Sequence, residues 1–281
     1  MHICIKRYIM IQMKAGIYYN KNRLSLIERY LKPMMQMLEE YSCSCTVVKD
    51  GSNLDGLDVL FVLGGDGTIL NIASECALRG IKILGINYGH LGFLAEFEPE
   101  KYVEAVKLVC DGNYVVNRRA MLEICCKGKT YLALNDLVIQ RSTGLQNFSN
   151  TVELRAEIDG ITVDNYLSDG IIVSTPTGST AYSLSAGGSI LTPDLSAFIM
   201  TPICAHSLHS RPVVFNDNSV LRIEPKSCRS ALNLVVDGKI VDIIDLEVIK
   251  VKKSKYFVEF ITRGDKDFFK KLLIKLNKWS K

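Results

Sequence analysis

The sequence predicts two fused parts, a doubly wound α/β layer followed by a β-rich, sandwich-like region. Up to about residue 113, apolar strand-like runs alternate with amphipathic helix-like segments, a pattern typical of parallel α/β sheets. Beyond it, short strand-like segments lie close together with turn residues between them, which is typical of sandwiches. One amphipathic segment closes the 281-residue chain. We therefore expect domains at residues 1–113, with the closing helix at 265–281 packing back on them, and at 114–264.

The composition is that of an ordinary globular chain with a mild positive charge. The net charge of +4 favours anionic ligands but is too small to indicate nucleic acid as a partner. Nine cysteines occur without CxxC or zinc-ligand spacing, so we expect reduced cysteines, no protein metal site and a cytoplasmic location. The first 13 residues lack a signal-peptide core, and no 18-residue apolar run predicts a membrane span.

Hydrophobic periodicity predicts four strands and three helices in the first part. The run at 59–63 is entirely apolar, which suits a strand buried on both faces of a parallel sheet. Gly80 is expected to end the second helix, and Pro33 to kink or interrupt the first. The strands are predicted at 14–19, 45–48, 59–63 and 81–86, and the helices at about 24–38, 69–78 and 99–110.

The second part is predicted to consist almost entirely of strands, with one interruption after residue 174. The closing helix is expected to carry an apolar face formed by Phe268, Leu272, Leu273 and Leu276. The strands are predicted at 121–126, 130–140, 152–158, 162–167, 171–174, 213–215, 220–223, 232–236, 240–244, 246–251 and 257–261.

An acid-bearing glycine turn, Gly64-Gly65-Asp66-Gly67, follows the strand at 59–63. Ligands of parallel sheets bind beyond the carboxyl ends of the strands. Glycines let backbone N–H groups approach a ligand, and a helix N-terminus suits phosphate. The Asp66 carboxylate repels phosphate, so its presence indicates a group that handles a proton or a metal. The alternative is a tight turn in which Asp66 caps the following helix.

A hydroxyl-rich run, Thr-Pro-Thr-Gly-Ser-Thr at 175–180, follows a buried strand, and a helix is predicted to begin near Ser179 or Thr180. Several hydroxyls beside a helix start suit phosphate or ribose. The alternative, a Ser/Thr-rich helix cap, needs only one of them. Upstream, Asn135 and Asp136 offer an amide and a carboxylate after a strand, and their alternative is a simple Asx turn. Together these residues suit a nucleotide with several hydroxyls and phosphates.

Read together, these blocks resemble the signature segments of the bacterial NAD kinases. The glycine turn alone is shared with diacylglycerol and sphingosine kinases and with phosphofructokinases, whereas the long hydroxyl block is more discriminating. The matching segments are residues 64–68 (GGDGT), 85–94 (GINYGHLGFL), 134–136 (LND), 168–188 around the hydroxyl-rich run, and 202–212 (PICAHSLHSRP).

The resemblance implies an NAD kinase-like fold, with an N-terminal Rossmann-like α/β domain and a C-terminal β-rich domain. It implies transfer of the γ-phosphoryl group of ATP to the 2′-hydroxyl of the adenosine ribose of NAD, which makes NADP. ATP is expected to arrive with Mg²⁺ or another divalent cation. A homodimer or homotetramer is expected, in which a neighbouring subunit helps close the NAD site, with no nucleic acid or membrane partner.

Residue roles follow from the same resemblance. Asp66 is expected to be the general base that takes the 2′-hydroxyl proton, and Gly65 and Gly67 to approach the pyrophosphate. Asn135 and Asp136 are expected to hold ribose hydroxyls. Further nucleotide contacts are expected from Phe93 near the nicotinamide, from Asp169 at the adenosine portion, and along the NAD pocket from Thr177, Thr180, Ala181, Tyr182, Ser183, Leu184 and Ser185.

Three positions depart from common family patterns, and two other functions are compatible with parts of the sequence. Asp136 stands where many members have Glu, Leu167 where many have Arg, and Lys239 where many have Gln. A lipid kinase of the diacylglycerol or sphingosine type shares the glycine turn, but it does not account for the hydroxyl block. A non-catalytic dinucleotide-binding regulator accounts for the pocket, but not for Asp66.

Overall fold

The computed structural model describes residues 13–19, 24–49, 51, 53–88, 92–142, 151–207, 209–227, 231–264 and 268–279. It divides into two compact units, the first formed by residues 1–117 and 260–281 and the second by residues 118–259. Parts of two signature segments, residues 89–91 and residue 208, lie outside the described residues, as do the first 12 residues. In the described part of the chain, no helix is long and apolar enough to span a membrane.

The described residues form sixteen β-strands and five α-helices. The strands are β1 (Lys14–Tyr19), β2 (Ser44–Val48), β3 (Val59–Leu63), β4 (Lys82–Ile86), β5 (Val115–Cys126), β6 (Lys129–Ala133), β7 (Asp136–Arg141), β8 (Val152–Ile158), β9 (Ile161–Ser168), β10 (Gly170–Ser174), β11 (Ala197–Ile203), β12 (Val213–Asn216), β13 (Leu221–Ser227), β14 (Leu232–Val236), β15 (Lys239–Ile244) and β16 (Ile249–Thr262). The helices are α1 (Leu24–Glu40), α2 (Asp66–Arg79), α3 (Tyr102–Cys110), α4 (Tyr182–Ser185) and α5 (Phe268–Trp279), with short 3₁₀ turns at Pro99–Lys101 and Gly178–Thr180.

A parallel sheet forms the centre of the first unit. Its strands run in the order β2-β1-β3-β4, and the last residues of β16 pair with β4. Leu84 and Ile86 of β4 pack in a core with residues of α1 and α3, whereas Gly85 faces Ile69 of α2. Successive residues of a strand point to opposite faces, so helices cover both faces of this sheet. The carboxyl ends of β3 and β4 lie side by side at one edge of the sheet.

Two sheets enclose the core of the second unit. One is antiparallel throughout, with the strand order β12-β11-β10-β7-β14-β15. The other contains β16, β13, β8 and β9 in that order, and β5, which also pairs with β6, pairs with β16. Leu137 and Ile139 of β7 share one apolar cluster with Leu154 of β8 and Leu221 of β13. Val138 points the other way, into a second cluster.

The predicted fold class, an α/β unit followed by a β-rich, sandwich-like unit, is confirmed, and most elements lie within one to three residues of their predicted bounds. Gly80 ends α2 in the left-handed conformation, at φ 68°. Of the two effects predicted for Pro33, an interruption of the first helix is wrong, because α1 continues through it, and a kink stays a prediction. Met34 and Leu38 of this helix are fully buried, and their packing outweighs the cost of about 3 kcal/mol that an interior proline carries.

The strands of the second unit differ from the prediction at two places where the sequence carries no clear local signal. Strand β11 was not predicted, although all seven of its residues are buried. Its sequence contains Met200 and Pro202, which dilute the β-branched pattern on which a strand prediction depends. The segment predicted as one strand at 130–140 forms two, β6 and β7, separated by Leu134 and Asn135.

Strand β16 joins two predicted strands, 246–251 and 257–261, into one. The lysine-rich stretch between them has the composition of a loop. In the structure Lys252 pairs with Glu123 at 2.9 Å, and Lys253 pairs with Asp217 at 2.6 Å. The strand continues through this stretch because its charged side chains find partners on other elements.

Candidate active site

The glycine turn joins the end of β3 to the start of α2. Gly64 is buried and its N–H donates to the Ile86 carbonyl at 2.9 Å. A Cβ on Gly64 would lie 2.3 Å from the Thr68 hydroxyl oxygen, so only glycine fits there. Gly65 is half-buried, whereas Gly67 is exposed, with no atom within 4 Å of where its Cβ would lie. The exposed side of the turn is therefore backbone at a helix N-terminus, which suits a phosphate group.

The Asp66 carboxylate is held by a loop segment that follows β4. The residue before α2 is Gly65, and the Asp66 side chain does not cap the helix, so the helix-cap alternative is wrong. Its oxygens instead accept the N–H groups of Phe93 at 2.8 Å and Leu94 at 3.1 Å. A Cβ on Gly92 would lie 1.9 Å from Asp66 Oδ1. The carboxylate is thus fixed in direction, and it remains partly exposed.

Lys275 of α5 brings a cation beside the Asp66 carboxylate. Its Nζ lies 3.7 Å from Asp66 Oδ2 and 3.9 Å from the centre of the Phe93 ring, and only 16% of its side chain is exposed. Burial lowers the pKa of Lys275, and the charge of Asp66 acts in the opposite direction. The negative charge at the turn is therefore partly balanced by the closing helix.

Helix α5 contacts this part of the first unit through one aromatic residue and two lysines. Phe268 packs against Phe93 with 6.0 Å between ring centres. Lys271 and Lys275 follow on the same side of the helix, and Lys271 bonds to the loop after Phe93. The stems of these lysines cover surface that apolar residues were expected to cover. The predicted apolar face of the closing helix is therefore wrong at two positions. Leu273 is 61% exposed and Leu276 is 40% exposed.

Three segments of the second unit meet at one end of its six-stranded sheet. Asp136, the first residue of β7, pairs with Ser174, the last of β10. Leu137 pairs with Val236, the last residue of β14. This register brings together the pair Asn135-Asp136, the hydroxyl-rich loop after β10 and the turn after β14. The first two were predicted as site segments, whereas no sequence pattern indicated that the third lies beside them.

Hydroxyl groups bind the loop after β10 to the segment before β7. The Thr175 hydroxyl donates to the Leu134 carbonyl at 2.6 Å, and the Thr175 N–H donates to the Asn135 carbonyl at 2.9 Å. The Ser174 hydroxyl also donates to the Asn135 carbonyl, at 3.1 Å. Gly178 lies so close to Asn135 that a Cβ would be 2.2 Å from its carbonyl oxygen. The two segments therefore form one rigid structure.

Several hydroxyls of the block serve the loop itself. Ser179 donates to the Pro176 carbonyl at 2.7 Å, and the hydroxyls of Ser183 and Thr201 are 2.9 Å apart. Ser179 and Ser183 are fully buried. The predicted helix start is a 3₁₀ turn followed by the single-turn helix α4. The remaining predicted pocket residues differ in exposure. Tyr182 and Ser185 are exposed, and Thr180 is buried. Three others are half-buried: Thr177, Ala181 and Leu184.

The Asp136 carboxyl group is buried beside a second acid. Only 5% of the residue is exposed. Burial first, and the nearby charge of Asp237 second, raise the pKa of Asp136 to about 7. Burying a charged carboxylate is costly, and a ligand hydroxyl is the kind of group that can donate a hydrogen bond to it.

Asp169 lies at the opposite end of the same sheet. It precedes Gly170, the first residue of β10, and its carboxylate lies 3.3 Å from Arg141 Nε. The five residues of β10 separate it from the end that carries Asp136, a distance of about 17 Å along a strand. The structure therefore does not bring Asp169 together with Asn135 and Asp136 within one chain.

Sequence reasoning missed three charged residues around these sites. Lys275 is one of five lysines in the last twelve residues, and nothing in its spacing marks it as facing Asp66. Arg141 and Asp237 pair with segments 28 and about 100 residues away, respectively. The Asp-Gly dipeptide at 237–238 is a hairpin signal, which could have predicted the turn but not the groups that bond to it.

Two family models match this chain. The ATP-NAD kinase N-terminal domain matches residues 15–114, and the ATP-NAD kinase C-terminal domain matches residues 134–263. Among curated relatives, the NAD kinase of Clostridium botulinum (strain Kyoto / Type A2) is 39% identical over 274 residues, which cover 93% of this chain and 95% of the relative. The NAD kinase of Caldanaerobacter subterraneus subsp. tengcongensis is 42% identical over 225 residues, which cover 78% of each chain.

Solved structures show the same fold. The yeast NADH kinase complexed with NADH has a TM-score of 0.80 at 25% identity, covering 95% of this chain and 88% of its own. An NAD kinase from Archaeoglobus fulgidus in complex with ATP has a TM-score of 0.75 at 26% identity, covering 94% of this chain and 99% of its own.

The fold and the glycine-bordered carboxylate define a phosphotransferase built from an α/β unit and a β-rich unit. The predicted class of enzyme is thereby confirmed. The chain belongs to the NAD kinase family. This membership confirms the resemblance seen in the sequence and decides against the lipid-kinase alternative.

Proposed function

We propose that the protein transfers the γ-phosphoryl group of ATP to the 2′-hydroxyl of the adenosine ribose of NAD, which makes NADP. The observation that carries the proposal is the Asp66 carboxylate, which two backbone N–H groups hold at the carboxyl end of β3, next to exposed Gly67. The names of the curated relatives support NAD as the substrate, and the ATP complex of a structural relative supports the donor.

Asp66 acts in this proposal as the general base. Each of its oxygens accepts one N–H group, and a carboxylate oxygen has a further lone pair that can take the 2′-hydroxyl proton. The ribose oxygen then forms a bond to the γ-phosphorus as the bond to the β,γ-bridging oxygen breaks and ADP leaves. Positioned base catalysis contributes roughly 10²- to 10⁴-fold.

The glycine turn serves the phosphates in this proposal. The backbone at Gly65 and Gly67 approaches the pyrophosphate at the N-terminus of α2. Mg²⁺ or another divalent cation that accompanies ATP offsets the charge of the phosphates. The donor set at the turn fits a cation held mainly by ATP, because it offers one partly exposed carboxylate, that of Asp66.

The second unit supplies the nucleoside contacts in this proposal. Asn135 and Asp136 hold ribose hydroxyls, and the loop residues from Thr177 to Ser185 line the NAD pocket. The burial of the Asp136 carboxyl group at the sheet end beside the hydroxyl-rich loop supports its part of the assignment. Asp169, also of the second unit, holds the adenosine portion, whereas Phe93 of the first unit packs near the nicotinamide.

We also propose a cytoplasmic homodimer or homotetramer that functions in NADP biosynthesis. The position of Asp169 supports an assembly, because this residue lies at the far end of β10 from Asp136. A neighbouring copy that helps close the NAD site can bring such a residue to it. The domain bounds read from the sequence, 1–113 with 265–281 and 114–264, stay a prediction.

One assay tests the proposed reaction. The purified protein is incubated with NAD and either ATP or polyphosphate, with Mg²⁺ or with EDTA, and NADP is measured. NADP formation that depends on ATP and Mg²⁺ is the expected result. Parallel reactions offer diacylglycerol or sphingosine as acceptors. Phosphorylated lipid without NADP contradicts the proposal, and NAD binding without any turnover indicates the non-catalytic regulator.

Replacing Asp136 is expected to increase stability while it weakens NAD binding. Because the folded-state pKa of Asp136 is raised to about 7, its contribution to stability is lost as the pH rises from about 4 to 7. Asp136→Asn removes this loss, so unfolding free energy at pH 8 is expected to rise on the order of 2–4 kcal/mol, with little change at pH 4. The KM for NAD is expected to rise at least tenfold, because an amide replaces the ribose-binding carboxylate.

Thermal unfolding at both pH values and steady-state kinetics check this prediction. Asp217→Asn is the matched control, because Asp217 is also buried but forms an ion pair with Lys253 at 2.6 Å. Breaking that pair is expected to lower stability at pH 8. A loss of stability in Asp136→Asn at pH 8 contradicts the assigned pKa and its physical cause.

A further inference from the structure

The turn between β14 and β15 consists of Asp237 and Gly238. Their φ angles are 47° and 78°, and Val236 pairs with Lys239 across the turn. Positive φ at both central residues is the geometry of the tight hairpin turn that Asp-Gly favours. The turn lies at the sheet end that carries Asn135 and Asp136.

The Asp237 carboxylate accepts hydrogen bonds from three consecutive backbone N–H groups, those of residues 134–136. The distances are 2.8, 2.7 and 3.1 Å in chain order. In return, the Asp237 N–H donates to the Asp136 carbonyl at 3.0 Å. Successive N–H groups directed at one anion form a concave binding geometry. Asp237 thus fixes the peptide planes of the segment that precedes β7.

The same segment is held from its carbonyl side by the loop after β10. The carbonyls of Leu134 and Asn135 accept bonds from Thr175 and Ser174. With its N–H groups on Asp237 and its carbonyls on the hydroxyl-rich loop, the segment has one backbone conformation. The side chains of Asn135 and Asp136 leave this backbone in fixed directions.

We infer that Asp237 is a positioning residue of the proposed reaction, and that it orients Asn135 and Asp136 toward the ribose hydroxyls of NAD. This inference rests on the proposed function. Asp237 itself contacts no substrate in it, and acts through the segment that it holds.

Asp237 also contributes, after burial, to the raised pKa of Asp136. Burial raises the pKa of Asp237, and its three N–H donors and the cation of Lys239 act in the opposite direction. With these donors Asp237 ionises first, and its charge adds to burial in raising the pKa of Asp136. The ionised form of Asp136 accepts ribose hydroxyls, so kcat/KM for NAD is expected to fall as the pH drops through about 7.

A second Asp-Gly turn in the same unit provides a matched control. Asp159 and Gly160 join β8 to β9 with φ angles of 52° and 82°. The Asp159 carboxylate accepts the N–H of Val220 at 2.8 Å, and no residue of the proposed site takes part. The two turns share sequence and conformation, and they differ in what their carboxylates hold.

The test compares Asp237→Asn with Asp159→Asn. Asparagine tolerates positive φ and keeps one oxygen, so the hairpin is preserved. The variant loses the bond to the Leu134 N–H and the negative charge beside Asp136. We expect the KM for NAD to rise at least tenfold with kcat changed less than threefold, and the acid limb of kcat/KM to move to lower pH. Asp159→Asn is expected to change neither quantity.

Asp237→Ser separates charge from hydrogen bonding. It removes the same charge but offers only one short acceptor, so the acid limb is expected to move equally and the KM for NAD to rise further. It also keeps the test decisive if one variant is too unstable to assay, which thermal unfolding reveals. If the wild type is fully active and the Asp237 variants keep its KM for NAD and its acid limb of kcat/KM, the positioning role of Asp237 is wrong while the proposed function stands. A wild type that makes no NADP overturns the proposed function and this inference together.

Discussion

Asp66→Asn is expected to reduce kcat for NADP formation by about 10²- to 10⁴-fold while NAD still binds. The amide cannot take the 2′-hydroxyl proton at neutral pH, whereas its size and shape match those of the carboxylate. One of the two bonds to the N–H groups of Phe93 and Leu94 is retained, because the amide keeps one acceptor oxygen. The loss therefore falls on the chemical step, and the KM for NAD is expected to change little.

Asp58→Asn is the matched control for Asp66→Asn. Asp58 lies immediately before β3, and Asp66 lies just beyond the other end of this strand. The Asp58 carboxylate also accepts a backbone N–H, that of Lys14 at 2.8 Å. This variant is expected to retain wild-type kcat. Initial rates measure kcat, and calorimetry measures NAD affinity in all three proteins. Near-wild-type NADP formation by Asp66→Asn, with NAD bound, shows that Asp66 is not the base.

In both units, a carboxylate at a site is held by backbone N–H groups of a segment remote in sequence. Asp66 bonds to Phe93 and Leu94, 27 and 28 residues further along the chain, and Asp237 bonds to residues 134–136, just over 100 residues earlier. Such bonds fix the direction of each carboxylate, and a nearby lysine, Lys275 or Lys239, offsets part of its charge. A carboxylate oxygen retains acceptor capacity after one such bond, which suits Asp66, the acid that meets a ribose hydroxyl in the proposed reaction.

Local patterns were sufficient to predict much of the fold. The unbroken apolar run of β3 predicted a strand covered on both faces, and all five of its residues are buried. Gly80 predicted the end of α2 because its left-handed conformation depends on one residue type. Strand β16 was misjudged because the partners of Lys252 and Lys253 lie on other elements, where no local pattern can reveal them.

In the candidate site, too, features marked by local sequence were predicted, and features that depend on distant partners were not. The glycine turn and the hydroxyl run are contiguous in sequence, so their composition alone marked them. The sequence could not show that the Ser183 hydroxyl bonds to Thr201 of β11, because that partner lies 18 residues away on another element. Nor could it show that Lys275 faces Asp66, since helix periodicity assigns a lysine to the polar face by default. Side-chain contacts whose partners are remote in sequence were therefore not predicted.

Gly178→Ala is expected to destabilise the second unit more than any other glycine-to-alanine substitution in the candidate site. The new Cβ would lie 2.2 Å from the Asn135 carbonyl oxygen and 2.5 Å from its carbonyl carbon. These are backbone atoms, so no side-chain rotation relieves the collision. The segment cannot move away, because Thr175 and Ser174 bond to its carbonyls and Asp237 holds its N–H groups. Unfolding free energy is expected to fall by about 3 kcal/mol.

Activity is expected to fall with stability in this variant, because relief of the collision must separate the hydroxyl-rich loop from Asn135. Thermal unfolding, with a decrease of roughly 5–10 °C, and the KM for NAD measure the two effects. Gly160→Ala is the control, since Gly160 has φ 82° but no atom within 4 Å of where its Cβ would lie. It is expected to cost about 1–2 kcal/mol from backbone strain alone and to leave the KM for NAD unchanged. Equal effects of the two variants on stability and on KM contradict the rigid contact between Gly178 and Asn135, because strain without collision would then account for both.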